Sequence, residues 1–367
     1  MFKLFQKTKK PEIGLSISPD GIRAVLLGKE KSYYLKCYAF QPFPIIPIEN
    51  GLITDSDIFV STLKKLVDNA KFDTNIVNID VPSNVVFIKT ITLPDLPLNE
   101  LKVIVPQEAS KHIPFALNEI NIDFEIIENS KRVEDSVKKV DIILVAITKN
   151  LAKLYTELVN SAGFIVNSID ITPFATIRTL ANAGYISNTD SLFISIYIGY
   201  ENTDINIIYK GMPVFSNSTP LGKKNIIDLL CGNLGINVAS AEKMLTELAL
   251  VVPGVNIEQS DVQLSKAATV IRPIYSNISA EIQKTMEFYN SKNGGNKTFK
   301  KIILSGNGVC VQNIDKYFTN KLKIETVHCN SLSNISHALE LSQNLLYPVN
   351  VPALSSSLGL ALKGFEN

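Results

Sequence analysis

Residues 13–27 read Ile-Gly-Leu-Ser-Ile-Ser-Pro-Asp-Gly-Ile-Arg-Ala-Val-Leu-Leu, the pattern of an apolar strand, a small polar turn with a glycine, and a second apolar strand. Residues 193–209 repeat this pattern half a chain later as Phe-Ile-Ser-Ile-Tyr-Ile-Gly-Tyr-Glu-Asn-Thr-Asp-Ile-Asn-Ile-Ile-Tyr. A third turn, Ser-Gly-Asn-Gly at residues 305–308, follows another apolar strand. Two such hairpins and a late turn, in this order, predict two related lobes that clamp a phosphate-bearing ligand.

The chemistry of the turns is the reason for expecting a phosphate. A tight turn between two strands leaves backbone N–H groups pointing outward, and glycine lets a phosphate approach them closely. Two facing turns can bracket a β- and a γ-phosphate, and the third can receive an adenosine or an α-phosphate at a helix N-terminus. One such turn alone is weak support, because most small polar turns only reverse the chain, so the prediction depends on all three.

Length and charge restrict the classes of function. At 367 residues the chain exceeds what one compact core usually holds, so two lobes are expected. It carries 36 basic and 35 acidic residues, and this formal net charge of +1 provides no overall field for nucleic acid or an anionic membrane. No run of 18 apolar residues occurs, so no transmembrane segment is expected.

The four cysteines and three histidines do not have the spacing of a metal site. The closest approach to a ligand pair is His328 beside Cys329, and we expect reduced, buried thiols instead. Residues 1–10 are basic and mildly amphipathic. Two interpretations stay open for them: a solvated tail, or a segment that touches a membrane surface or a membrane protein.

Hydrophobic periodicity predicts a mixed α/β chain in four parts. These are a basic tail (1–11), a first lobe (12–82 and 149–185), a small α+β subdomain inserted into that lobe (83–148), and a second lobe (186–367). In the first lobe, Asp55 is expected to cap a helix over residues 55–69, and a helix over 173–183 is expected to bridge the lobes. In the insertion, Pro106 should kink or shorten a helix over 100–112, and residues 130–139 should form a charged turn.

The whole arrangement resembles the actin-like ATPase superfamily, whose members have a two-lobed fold related to ribonuclease H. The superfamily's two phosphate loops are similar to residues 14–23 (Gly-Leu-Ser-Ile-Ser-Pro-Asp-Gly-Ile-Arg) and to residues 197–203 (Tyr-Ile-Gly-Tyr-Glu-Asn-Thr). Its adenosine motif is similar to residues 304–308 (Leu-Ser-Gly-Asn-Gly). The resemblance therefore implies an actin-like fold that holds ATP and magnesium between the lobes.

Within the superfamily, the insertion is similar to that of the type IV pilus assembly protein PilM family. The matching segments are residues 93–101 (Leu-Pro-Asp-Leu-Pro-Leu-Asn-Glu-Leu), residues 108–120 (Glu-Ala-Ser-Lys-His-Ile-Pro-Phe-Ala-Leu-Asn-Glu-Ile) and Asp123-Phe124. The resemblance covers nearly the whole chain. The nucleotide-binding positions that it implies are Ser16, Ser18, Gly21, Arg23, Gly199, Tyr200, Asn202, Thr203, Gly222, Lys223, Glu242, Gly306, Asn307 and Gly308.

The family resemblance also implies partners and a location. It implies a cytoplasmic protein of the inner-membrane platform that builds type IV pili, held at the membrane through its partners. The expected partner is a PilN-like bitopic membrane protein, whose cytoplasmic N-terminal peptide would bind in a groove of the first lobe beside the insertion. Other platform proteins, assembly ATPases and self-association stay open as further contacts.

Departures from the superfamily pattern concern magnesium. Acidic residues at the start of each phosphate loop normally orient the ion and its waters, but here Ser16 and Tyr197 stand at those positions. Arg23 replaces the usual lysine, which keeps the charge but changes the geometry. Asp20 and Asp204 are nearby acids that could compensate for the missing carboxylates, but we expect them to cap turns. The sequence therefore favours a scaffold with degenerate ATP binding over an enzyme, and it assigns no catalytic residue and no protein ligand to the metal.

Two alternatives remain. For an actin-like cell-division or filament-forming protein we would expect a C-terminal amphipathic membrane helix. The final residues Lys-Gly-Phe-Glu-Asn do not have this pattern. A sugar or acetate kinase would need a catalytic base, and neither hairpin has an aspartate in its first strand. His112 and the serines at 355–357 lack the partners of catalytic groups. We therefore expect a surface or packing role for His112 and a helix cap or loop for the serines.

Overall fold

A computed structural model describes residues 11–187, 189–250, 252, 262–295, 297–337 and 351–366. Within these residues the chain forms a six-stranded, a five-stranded and a three-stranded sheet and a two-stranded ribbon, with helices packed around them. All but the last residue of the predicted basic tail lies outside the described residues. No described helix is both long enough and apolar enough to cross a membrane.

The described strands, in chain order, are β1 (Ile13–Ser18), β2 (Gly21–Lys29), β3 (Tyr33–Pro42), β4 (Ile48–Glu49), β5 (Leu52–Ile53), β6 (Ile76–Val81), β7 (Phe87–Pro94), β8 (Ile120–Glu134), β9 (Val137–Thr148), β10 (Ile165–Ile171), β11 (Leu192–Ile198), β12 (Thr203–Tyr209), β13 (Met212–Thr219), β14 (Phe299–Ser305), β15 (Thr326–His328) and β16 (Ile335–Ser336).

The described α-helices, in chain order, are α1 (Ser56–Asn69), α2 (Leu98–Ala109), α3 (Lys149–Ser161), α4 (Thr172–Asn182), α5 (Lys223–Leu234), α6 (Val238–Glu247), α7 (Val262–Lys292), α8 (Ile314–Leu322) and α9 (Ser355–Lys363). Asp55 caps α1 as predicted, since its carboxylate accepts a hydrogen bond from the Ile58 N–H.

The first sheet has the strand order β10-β6-β1-β2-β3-β16 and contains the first quoted hairpin. Strands β1 and β2 pair antiparallel up to the contact of Ser18 with Gly21, and β6 runs parallel to β1 on its other side. Alternate residues of β1 (Ile13, Leu15 and Ile17) enter a core covered by α1 and α3. The opposite face of β1 is therefore left for the polar residue Ser16.

The second sheet repeats this plan with the order β13-β12-β11-β14-β15. Strands β11 and β12 pair antiparallel up to Ile198 and Thr203, and β14 runs parallel to β11. Helix α4 lies between the two sheets, because Ile177 and Leu180 pack on the second sheet through Phe193, while Ala175 backs onto the first lobe. In each sheet a hairpin and a parallel neighbour thus end at a shared edge, which sets the cleft between the lobes.

The inserted subdomain is a three-stranded sheet, ordered β7-β9-β8, with α2 packed on one face. Pro106 lies inside α2, which ends at Ala109, three residues before the predicted end. The prediction of a charged turn over 130–139 is wrong. Strands β8 and β9 remain paired through this stretch, and the turn consists of Asp135 and Ser136, which both have positive φ.

The C-terminal segment packs on the first sheet, although the sequence pattern placed residues 186–367 in the second lobe. Strand β16 pairs with β3. Leu354, which directly precedes α9, and Leu358 and Leu362 of α9 pack with Val25 and Leu27 of β2. The physical reason is the open face of β1–β3, which is apolar on alternate residues and needs a helix to cover it. Strand β16 and helix α9 therefore belong to the first lobe.

Candidate functional site: the cleft between the lobes

The structure brings all three glycine-bearing turns together. The Asn307 amide of the third turn donates to the Asp20 carboxylate of the first turn at 2.9 Å. The third turn also packs against the end of β11, where a Cβ on Gly306 would lie 2.3 Å from the Ile198 carbonyl oxygen. Gly306 has a φ of 93°, a backbone conformation that residues with a Cβ rarely adopt. Both this conformation and the lack of space for a Cβ therefore require glycine at position 306.

An ion pair occupies the first turn. Two guanidinium nitrogens of Arg23 bind the two oxygens of Asp20 at 3.2 and 2.9 Å, and the Arg23 guanidinium lies 4.3 Å from the Phe40 ring centre. Burial alone would raise the pKa of Asp20, but the adjacent Arg23 holds it well below its usual range. The expectation that Asp20 caps its turn is wrong, because its carboxylate is bound by the side chains of Arg23 and Asn307.

Ser16 is buried and donates to the Asp80 carboxylate at 3.2 Å. Asp80 lies one residue before the end of β6 and also accepts hydrogen bonds from the Ile17 N–H, from Thr172 at the start of α4, and from Ser356 in α9. Burial raises the pKa of Asp80, and these donors oppose that rise. The carboxylate missing from position 16 is thus supplied by the neighbouring parallel strand, but it is fully engaged by protein donors.

Tyr197 lies in the cleft, where the charges of Asp80, Arg23 and Asp20 all reach its hydroxyl. Burial, reinforced by the Asp80 charge, raises the pKa of Tyr197 well above its usual value. A neutral phenol therefore stands where the superfamily pattern has an acid. The neighbouring Tyr200 is buried as well, and burial raises its pKa to about 12.

The second turn connects the lobes through Asp204. One oxygen of this buried carboxylate accepts from Ser83, which directly follows β6 of the first lobe, from Ser218 at 2.8 Å and from Asn202 at 3.0 Å. The expectation that Asp204 caps a turn is wrong, because the carboxylate bridges two lobes through side chains. Its second oxygen, Oδ2, is buried without a partner among the described residues, and burial raises the pKa of Asp204 to about 6.

Backbone N–H groups of the second turn and of α5 donate to backbone carbonyls of the second turn. The Gly199 N–H donates to Asn202 at 2.8 Å, and the N–H groups of Lys223 and Lys224 donate to the carbonyls of Gly199 and Tyr200 at 2.9 and 2.7 Å. The Lys223 ammonium binds Glu242 at 3.0 Å. The first N–H groups of α5 thus already have acceptors, and the Lys223 ammonium is paired with Glu242.

The remaining implied positions serve the geometry of the turns. Thr203 donates to the Leu221 carbonyl at 2.6 Å, and Ser18 hydrogen-bonds to Asp20. Gly21 and Gly222 both allow close backbone approach, with a Cβ on Gly222 falling 2.5 Å from the Tyr200 carbonyl oxygen. Gly308 packs against Ile198 in the same way. Every implied position therefore lies at or beside the three turns, except Glu242, which reaches them through Lys223.

A family model of type IV pilus assembly protein PilM matches residues 14–365. The chain belongs to this PilM family. A solved structure titled "PilM-PilN type IV pilus biogenesis complex" matches with a TM-score of 0.81 at 20% identity, covering 98% of this chain and all of that one. The identity is low, so this similarity shows the fold alone.

Two further solved structures have a similar fold at lower TM-scores. The ethanolamine utilization protein EutJ from Carboxydothermus hydrogenoformans matches with a TM-score of 0.56 at 13% identity, covering 96% of this chain and 90% of that chain. MreB5 of Spiroplasma citri bound to ADP matches with a TM-score of 0.53 at 16% identity, covering 97% and 96%. The predicted actin-like α/β fold is thus confirmed.

The carboxylates of this PilM-family cleft do not fit a magnesium ion. Asp20 is bound by Arg23 and Asn307, and Asp80 accepts four hydrogen bonds. Asp204 has one carboxylate oxygen, Oδ2, without a hydrogen-bond partner among the described residues. In the described ranges, no three His, Cys, Asp or Glu side chains are grouped as metal ligands. A magnesium ion that took oxygen ligands from these residues would compete with the protein donors that already bind them.

Sequence reasoning missed the Asp80 group altogether. Its signal was present, since an aspartate ending an apolar strand, Ile-Val-Asn-Ile-Asp at 76–80, is a buried polar residue that needs donors. The serines at 355–357 are buried inside α9, so the predicted cap or loop is wrong, and Ser356 is one of those donors. His112 instead lies on the insertion, with its Nδ1 3.2 Å from the Lys89 ammonium.

Proposed function

We propose that this PilM-family chain is a cytoplasmic scaffold of the inner-membrane platform that assembles type IV pili. Its partner is the cytoplasmic N-terminal peptide of a PilN-like bitopic membrane protein, which holds the chain at the membrane. The observation that carries this proposal is the family match over residues 14–365. The matching fold of a chain taken from a PilM–PilN complex supports it.

An exposed apolar surface supports a peptide site beside the insertion. Phe115 and Leu117, in the loop between α2 and β8, are 48% and 40% exposed. Lys149 at the start of α3 donates to the Asn118 carbonyl at 2.8 Å, so this loop is fixed against the first lobe. A loop that is bound to the first lobe and presents large apolar side chains next to a lobe boundary is suited to anchoring a short peptide.

Calorimetric titration with a peptide from the cytoplasmic N-terminus of a PilN-like protein of the same organism tests the proposal. We expect saturable binding with a Kd of about 1 μM, which corresponds to roughly −8 kcal/mol. Phe115→Ser should weaken it at least tenfold, because a buried aromatic anchor is lost. The matched control is Phe288→Ser, since Phe288 is 49% exposed but lies on the second lobe. Absence of binding to the unmodified chain would refute the proposal.

We further propose that the cleft binds ATP weakly and does not hydrolyse it. The resemblance assigns the first and third turns to the nucleotide, yet Asp20 and Asn307 bind each other. The charges of Asp20, Arg23 and Asp80 act on the Tyr197 phenol, so this phenol lies near the same turns. An incoming triphosphate would have to break the Asp20–Asn307 bond and would add negative charge next to Asp20 and Asp80 without a magnesium site to compensate.

Titration with magnesium-ATP measures this directly. We expect no saturable heat with a Kd below about 1 mM for the unmodified chain. Tyr197→Asp restores an acid at the loop start and should bring magnesium-dependent binding, whereas Tyr209→Asp, at the far end of the same hairpin, should not. Micromolar binding to the unmodified chain would show that Ser16 and Tyr197 do not disable the site.

A further inference from the structure

A large cavity lies away from the three turns of the interlobe cleft. It has a volume of 1070 Å³ and separates the inserted three-stranded sheet from the second lobe. Small-molecule pockets usually have volumes of about 300 to 1,000 Å³, so this cavity exceeds that range. The exposed Phe115 is not among its lining residues, so the cavity is a different surface from the one beside α2.

One wall is the face of the inserted sheet that α2 leaves open. Helix α2 packs on one face through Leu101 and Val105. Side chains alternate along a strand, so Thr90 of β7 and its partner Ile143 of β9 point to the other face, and both line the cavity. At one end of this wall, Arg132 binds Asp141 at 3.0 Å.

The opposite wall consists of β13 and the end of α7. Phe215 of β13 and Phe288 of α7 have ring centres 5.3 Å apart, and Phe288 is 49% exposed. Such an aromatic pair is a large apolar surface with one side open to the cavity. A ligand that fills the cavity would bury this surface against the apolar strip of the inserted sheet.

Two strand edges meet at the cavity. Strand β13 is the edge of the second sheet and β7 is the edge of the inserted sheet. Between these edges, the Thr90 hydroxyl donates to the Val214 carbonyl at 3.3 Å. No described strand pairs with the outer side of either edge, and an edge of this kind can pair with an added extended segment, whose alternate side chains can enter apolar pockets. The geometry favours an extended chain over a helix or a compact ligand.

The charged side chains around the cavity favour a ligand with negative charge. Arg132 is paired with Asp141, and Lys210 is paired with Asp190 at 2.9 Å. Lys292 lies 5.8 Å from the Phe288 ring centre, and neither Lys292 nor the exposed Lys297 has a carboxylate within salt-bridge distance among the described residues. Two ammonium groups next to an aromatic wall therefore remain to be neutralised by the ligand.

We propose that this cavity is a second docking site, which binds an extended acidic segment of a partner protein whose apolar side chains alternate with carboxylates. The carboxylates pair with Lys292 and Lys297, and the apolar side chains pack on Phe215 and Phe288. The site is independent of the Phe115 surface, so one chain can hold two partner segments at once.

The test uses the full chain and a labelled eight-residue peptide in which valine or phenylalanine alternates with aspartate, followed by fluorescence anisotropy. The double variant Lys292→Glu/Lys297→Glu should bind at least tenfold more weakly than the unmodified chain. The control double variant Lys64→Glu/Lys65→Glu makes the same charge change on the exposed face of α1 and should bind normally. A peptide with lysine in place of aspartate should not bind.

Phe288→Ser should weaken acidic-peptide binding, whereas Phe115→Ser should not, which is the reverse of the pattern expected for the PilN-like peptide. The two proposals therefore fail separately. Absence of acidic-peptide binding, equal binding to both lysine double variants, or equal binding of the lysine peptide would each overturn the second docking site.

Discussion

Replacing Gly359 by alanine should destabilise the chain by more than about 4 kcal/mol, because the new methyl group has no space. A Cβ on Gly359 would lie 1.7 Å from the Ala175 carbonyl oxygen and 2.5 Å from the carbonyl carbon. Both atoms belong to the backbone of α4, so no side-chain rotation relieves the clash. Helix α9 would have to move off α4, and it would then uncover the open face of β1–β3.

A matched substitution makes this expectation specific. Gly232 also lies in a helix, α5, and a Cβ there meets nothing within 4 Å. Alanine is the better helix former by about 1 kcal/mol, so helix propensity alone predicts that both replacements stabilise. We expect Gly232→Ala to raise the melting temperature slightly and Gly359→Ala to lower it by many degrees or to prevent soluble expression. Two changes of the same sign would contradict the packing of α9 on α4.

Local patterns were sufficient to predict the elements that form the cleft. The two hairpins and the late turn each consist of adjacent residues, so alternation and glycine placement are visible in a short window. The cap at Asp55 is equally local, because donor and acceptor are three residues apart. For the same reason, the positions implied by the family resemblance all fall at or beside the cleft.

Long-range packing explains what the sequence did not reveal. Helix α9 belongs to the first lobe only because the sheet formed by residues 13–42 needs a cover, and no local feature of residues 351–366 says so. Similarly, the Asp80 group joins residues that are 64 and 276 positions apart along the chain. Turn composition led us to expect that Asp20 and Asp204 cap turns, but the folded chain places other donors beside them.

Replacing Asp80 by alanine should cost roughly 3 to 5 kcal/mol of stability, because four buried donors lose the carboxylate that accepts their hydrogen bonds. The substitution leaves the hydroxyls of Ser16, Thr172 and Ser356 and the Ile17 N–H without their acceptor, all in a region with almost no solvent access. Each buried donor left unpaired costs about 1 to 3 kcal/mol before the structure relaxes. Urea unfolding followed by circular dichroism measures the change.

Asparagine at position 80 separates the loss of the acceptor from the loss of the side chain. It retains one oxygen for the three hydroxyls but turns an amide N–H₂ toward the Ile17 N–H, so we expect a smaller cost of about 1 to 2 kcal/mol. Asp68→Ala, an exposed aspartate on α1, should change stability by less than about 0.5 kcal/mol. If alanine at position 80 were as harmless as alanine at position 68, Asp80 would not join β6, α4 and α9.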